Sequence, residues 1–219
     1  MTQEHLPPPK PSDPLPLFLS TEHWSLLGTR SMTWSEIMSR INILLTLAGA
    51  GLVVLALVSQ SSGFGTPFWV MAIGLDATVL VLGTLTGIRV AVASQEDAQM
   101  VLGMNRIRAA YLRLAPELEE YLTSGATDDE TGLMRTYTLG AGRPTFVHVI
   151  GSTNFFLGTV NSILAGVLGT LVTHQSGGPV SLTWSLGIVA GLAYFAATMY
   201  AGFLMFRMSR APSRFPSSE

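Results

Sequence analysis

Four apolar blocks alternate with polar stretches along the chain, at about 41–59, 67–88, 149–172 and 182–206. Each approaches the roughly 20 residues a helix needs to cross a hydrocarbon core about 30 Å thick. The pattern predicts an all-α polytopic membrane protein with four transmembrane helices and a helical cytosolic arm between spans two and three. Five segments follow: a disordered Pro-rich tail 1–20, an interfacial segment with the first hairpin 21–94, the arm 95–148, a second hairpin 149–206, and a basic cytosolic tail 207–219. The first segment lacks the basic-then-apolar order of a signal peptide. It reads as a tether, with a ligand for a Pro-binding groove as the alternative.

In the arm the pattern changes from continuous to periodic. The second block ends at Ile88 and Arg89 without a breaker, so its helix is expected to run on to about Ala115. Along this extension Met100, Met104, Ile107, Tyr111, Leu114, Leu118 and Tyr121 alternate steps of four and three, a heptad-like seam with Asn105, Arg106, Arg108 and Arg113 mostly off it. Pro116 interrupts the helix, and Glu117, Glu119 and Glu120 suit the start of a new short one. Thr127 with Glu130 has capping-box spacing and predicts a helix over 128–137. Thr33 with Glu36 repeats that spacing and predicts a first spanning helix starting near Trp34, with Trp24 and Trp34 at headgroup level. Gly140, Gly142 and Pro144 read as a turn back to the membrane.

Charge orients this arrangement. All twelve Lys and Arg fall on one side of the four blocks, whereas the connectors 60–66 and 173–181 carry no Lys, Arg, Asp or Glu. Positive residues remain inside, so both termini are expected in the cytoplasm. Charged residues make up 12% of the chain, against about 25% in a soluble domain.

Asp76 is the one acid inside a block. A carboxylate at mid-bilayer costs at least about 2.5 kcal/mol and needs a partner, water or a proton. Matching depths from the block ends places Asn161 and Tyr194 near its level, with Gly49 and Gly51 opposite, and Asn154 lies on the same stripe as Asn161. An interhelical hydrogen bond that fixes packing is the preferred role for Asp76, an ion or proton site the alternative. Gly151, Asn154, Gly158, Asn161 and Ala165 form a small and polar stripe, while Gly83 with Gly87 and Gly187 with Gly191 have small-xxx-small spacing, all suited to close helix packing. Arg106, Arg108 and Arg113 follow the positive-inside bias, with attraction to anionic lipid as the alternative. His148 and His174 sit at opposite surfaces and cannot share a metal.

No cysteine is present, which excludes disulfides and thiolate sites. The zinc helix, Walker loop and nucleophile elbow are also missing. Segment 95–148 has five Arg against eight acids, a poor surface for nucleic acid. A non-enzymatic protein without cofactor or metal is therefore expected, its partners being the lipid bilayer and a homo-oligomer or membrane-complex subunit.

The run Asn105-Arg106-Ile107-Arg108, then Tyr111-Leu112, Leu114-Ala115-Pro116-Glu117-Leu118 and Asp128-Asp129-Glu130, resembles a widespread family of uncharacterised bacterial four-helix integral membrane proteins. The likeness covers about 39–137, including Ser59-Gln60 at the end of the first block. It implies a bacterial cytoplasmic (inner) membrane and a shared role for the cytosolic helix, and it transfers no activity. The expected role is an assembly or partner-binding subunit, with a small oligomeric ion channel or transporter as the alternative.

Overall fold

The computed structural model describes residues 14–141, 145–208 and 213–216, and every regular element among them is a helix. Residues 1–13, Gly142, Pro144, Arg210 and the side chains of His148 and Arg207 lie outside the described set. The order is α1 (Leu15–Ser62), α2 (Thr66–Leu114), a 3-10 turn (Pro116–Tyr121), α3 (Glu130–Thr138), α4 (Thr145–Ile150), α5 (Thr153–Gln175) and α6 (Val180–Met208). Four of these, α1, α2, α5 and α6, are long and apolar enough to cross a membrane.

Helix α1 corrects two expectations. It takes in residues 15–20 of the segment read as a tail, and it passes Trp34 as part of one 48-residue helix. A capping box needs the free N–H groups of a helix start. At Thr33 the preceding turns already supply acceptors, and Glu36 instead accepts from Arg40 Nε at 2.8 Å and Arg89 Nη2 at 3.0 Å.

Helix α2 runs unbroken to Leu114, as the absence of breakers predicts. Ala115 is then extended, at φ −149° and ψ 85°, because proline disfavours the helical region for the residue before it. Helix α3 starts two residues later than the capping-box reading requires, at Glu130 rather than Asp128. Its N-cap is Asp129, whose carboxylate accepts from Gly132 N at 2.8 Å and from Thr127 Oγ1 at 2.9 Å. Helix α5 begins at Thr153 rather than 149, because Ser152 caps it through Phe155 N. Gly151 of the expected stripe consequently precedes this helix.

The chain divides into two compact units. One comprises described residues of Met1–Arg30, Met100–Gly140 and Arg214–Glu219; the other comprises those of Ser31–Gln99 and Ala141–Ser213. Core residues of the second unit are Ile37, Ile41 and Leu44 of α1, Val79, Val90 and Ala93 of α2, and Leu157 of α5. In the first unit Val101, Leu102, Met104, Ile107 and Leu133 are buried.

Candidate functional site

Within the first unit, α2 presents a mixed apolar and polar face. Met104 and Ile107 of the seam are buried and Met100 and Tyr111 half-buried, but Leu114, Leu118 and Tyr121 are 48%, 37% and 76% exposed. Asn105, off the seam by its spacing, is fully buried. Its Nδ2 donates to Thr127 O at 2.9 Å, while its Oδ1 accepts from Arg108 Nη1 at 2.7 Å and Thr136 Oγ1 at 2.9 Å. A primary amide has two donors and two acceptor positions, and this one ties α2, the loop before α3 and α3 together. The loop passes so close to α3 that a Cβ on Gly132 would run into Thr127, and one on Gly125 would lie 2.9 Å from the Gly132 Cα.

Asp128 is the second hub. Its side chain is 0% exposed and accepts from Arg106 Nε at 2.6 Å. It also accepts backbone N–H groups from Arg214 at 2.9 Å and Phe215 at 2.7 Å, while its own N–H donates to Phe215 O at 3.1 Å. The Phe215 ring lies 4.8 Å from the Arg113 guanidinium carbon. The three arginines of α2 beyond residue 105 are thus engaged within the unit: Arg106 by Asp128, Arg108 by Asn105, and Arg113 by Phe215.

In the second unit the expected polar residues do not gather around Asp76. Tyr194 Oη lies 2.7 Å from Thr84 Oγ1. Asn161 packs against Gly83, where any Cβ would strike its amide. Asn154 Nδ2 donates to Ser94 Oγ at 3.0 Å. At 1.5 Å of rise per residue, Gly83 is about 10 Å and Ser94 about 27 Å from Asp76 along α2. Asp76 Oδ2 and Asn161 Oδ1 are buried without a hydrogen-bond partner. The interhelical bond expected of Asp76 is not formed among the described residues.

The glycines pack inside the chain. Gly83 and Gly87 seat Asn161, and a Cβ at Gly158 would lie 3.0 Å from Met199 Cε. Gly187 and Gly191 of α6 cross Gly166 of α5 backbone to backbone, so a Cβ on Gly187 would sit 2.8 Å from the Gly166 carbonyl oxygen. His174 packs on Trp69, with ring centroids 4.7 Å apart.

Two features lay outside the sequence reading. Trp34 Nε1 donates to Asp97 Oδ1 at 2.8 Å, and Asp97 is 2% exposed. Stepping the α2 period back four residues from Val101 reaches Asp97 and would have found it. On α1, Ser35, Ser39, Asn42 and Thr46 line an open groove at steps of four, three and four. Among the described residues no group of three or more His, Asp or Glu is placed to hold a metal ion. No family model, no curated protein and no solved structure matches the chain.

Proposed function

We propose that the chain is a non-enzymatic, multi-pass protein of the bacterial cytoplasmic membrane, with both ends inside, that assembles with a partner through the arm between its second and third spans. The observation supporting this reading is the divided seam. Met104 and Ile107 are consumed by the chain's own packing, whereas Leu114, Leu118 and Tyr121 remain exposed at the far end. Three exposed large apolar side chains within the eight residues 114–121 suit an interaction surface. The partner is another copy or a second membrane subunit.

Glutamates at Leu118 and Tyr121 test it, because neither side chain is buried. The double variant is expected to keep its helix content and abundance but lose cross-linking and mass in mild detergent. Unchanged mass and cross-linking would remove the proposed surface. Topology is tested separately in this cysteine-free chain: cysteines at Ser62 and Ser176 should react with an impermeant thiol reagent in intact cells, and cysteines at Thr123 and Ser217 should not.

A second reading, a small oligomeric channel or transporter, is favoured by the two unpartnered polar atoms, Asp76 Oδ2 and Asn161 Oδ1. Buried polar groups without protein partners call for water or an ion. Proton and ion flux in liposomes, compared between the unaltered protein and Asp76→Asn, separates the readings. Flux that depends on Asp76 favours the channel.

A further inference from the structure

Threonines inside the span-length helices bond to their own helix. Thr46 donates to Asn42 O at 2.7 Å, Thr78 to Gly74 O at 2.7 Å and Thr170 to Gly166 O at 2.9 Å. A side-chain amide, with two donors and two acceptor positions, asks for more than one such bond. Three asparagines lie in the apolar blocks. Asn154 donates to Ser94, and Asn161 is enclosed against Gly83. Asn42 differs: it is exposed, and its side chain has no hydrogen bond among the described residues. It lies about 9 Å along α1 beyond Glu36, whose carboxylate pairs with Arg89 where the second block ends. So short a side chain does not reach back to that polar level, and an unbonded amide in hydrocarbon is strongly disfavoured.

We propose that the groove around Asn42 is a contact between two copies of the chain, α1 against α1, with the two Asn42 amides bonded to each other. Depth and chemistry identify the occupant. Copies inserted with one topology and related by a two-fold axis along the membrane normal hold identical residues at identical depth. An amide both donates and accepts, so Asn42 meets its own match there. Any other partner must bring a polar group to this one level, whereas a second copy does so by symmetry. The groove carries no ionisable side chain, so like copies do not repel across it. Ser35, Ser39, Asn42 and Thr46 follow steps of four, three and four, the spacing at which two helices pack along a shared seam, and the two serines and the threonine are small enough to let the backbones approach. The inference rests on the membrane reading and names the partner as a second copy, met through a face separate from the arm.

The test uses the cysteine-free full chain in cell membranes, with single substitutions Ser39→Cys and Thr46→Cys in the groove. Leu45→Cys and Leu52→Cys are the controls, exposed positions about 100° or more round the helix from the Ser39–Thr46 line. Oxidation should link the groove cysteines into a product of twice the chain's mass, and the controls at least about threefold less. Adding Asn42→Leu should lower the groove links at least about threefold at unchanged abundance, while Asn42→Gln, which keeps an amide, should retain them. Equal linking at groove and control positions, groove links to a protein of another mass, or links indifferent to Asn42→Leu would each overturn the pairing. The membrane reading is judged apart, by whether the chain stays with the membrane at alkaline pH. Retention without groove links overturns the pairing alone.

Discussion

Asp128, fully buried, and Asp76, half-buried with one oxygen enclosed, are acids with opposite surroundings. Asp128 sits before α3 with an arginine and two backbone N–H groups on its carboxylate. Asp76 sits inside α2 with one carboxylate oxygen buried and no partner for it. The contrast extends to their units. Specific polar bonds through Asn105, Asp128, Asp129 and Thr136 close the loop onto α3 in the first. In the second, close approach of backbones at Gly83, Gly166, Gly187 and Gly191 sets helix packing, and the polar side chains are distributed singly along α2. Removing Asp128 should therefore be costly, and removing Asp76 nearly free.

The largest effect is expected at Asp128. Asp128→Ala leaves Arg106 and two amides without their acceptor, and breaking a buried pair by removing one partner costs about 3–5 kcal/mol. Asp128→Asn keeps an acceptor oxygen for part of the set and should cost less. The measurement is denaturant unfolding followed by a probe in the first unit, together with abundance in cells. Equal stability of Asp128→Ala and the unaltered protein would erase the distinction between the two acids.

A smaller effect is expected where glycine sets the packing. Gly187→Val would drive its Cβ against the Thr170 hydroxyl and the Gly166 carbonyl, and the carbonyl, being backbone, cannot move without parting α5 from α6. Overpacking of this kind costs about 1–3 kcal/mol. Gly28 supplies the control, for a Cβ there meets nothing within 4 Å. Gly28→Ala should gain up to about 1 kcal/mol from helix propensity. Detergent unfolding of both variants decides it. Gly187→Val at unaltered stability would mean that the two helices do not depend on their close crossing.

The same contrast explains what the residues disclosed. Elements set by local chemistry were legible: α2 stops before Pro116, and the segment after residue 128 forms a short helix. The four span-length helices were legible from hydropathy. What was lost depends on contacts distant in sequence. Residues 15–33 are too polar to stand out in an apolar scan, and packing such as Leu26 near Gly103 and His23 stacked on Tyr111 accompanies their helical course. Asn105 lies off the seam by its spacing, yet it is buried, because Thr127 and Thr136, more than 20 residues away, satisfy its amide inside. The Arg214–Phe215 docking has almost no side-chain signature, since backbone N–H groups make most of it. The intramembrane cluster failed because depths counted from block ends do not fix which residues face each other: Asn161 and Tyr194 share a level near Gly83 and Thr84, well along α2 from Asp76.

Asp76 is where the smallest stability change is expected, and where that smallness is informative. An acid that anchored helix packing would be damaged most by an apolar replacement. Because Asp76 Oδ2 has no partner, the unaltered chain already carries the cost of an unsatisfied polar atom, commonly about 1–3 kcal/mol. Asp76→Leu removes that atom at similar volume, so unfolding stability should be unchanged or raised by up to about 1 kcal/mol, with Asp76→Asn close to the unaltered protein. Liposome flux supplies the second axis. If Asp76 serves a hydrated path, both variants lose proton or ion flux while stability holds. If the chain is an assembly subunit, neither stability nor flux changes. Destabilisation of Asp76→Leu by as much as Asp128→Ala would show that Asp76 has an unrecognised partner, and the difference drawn between the two acids would fail.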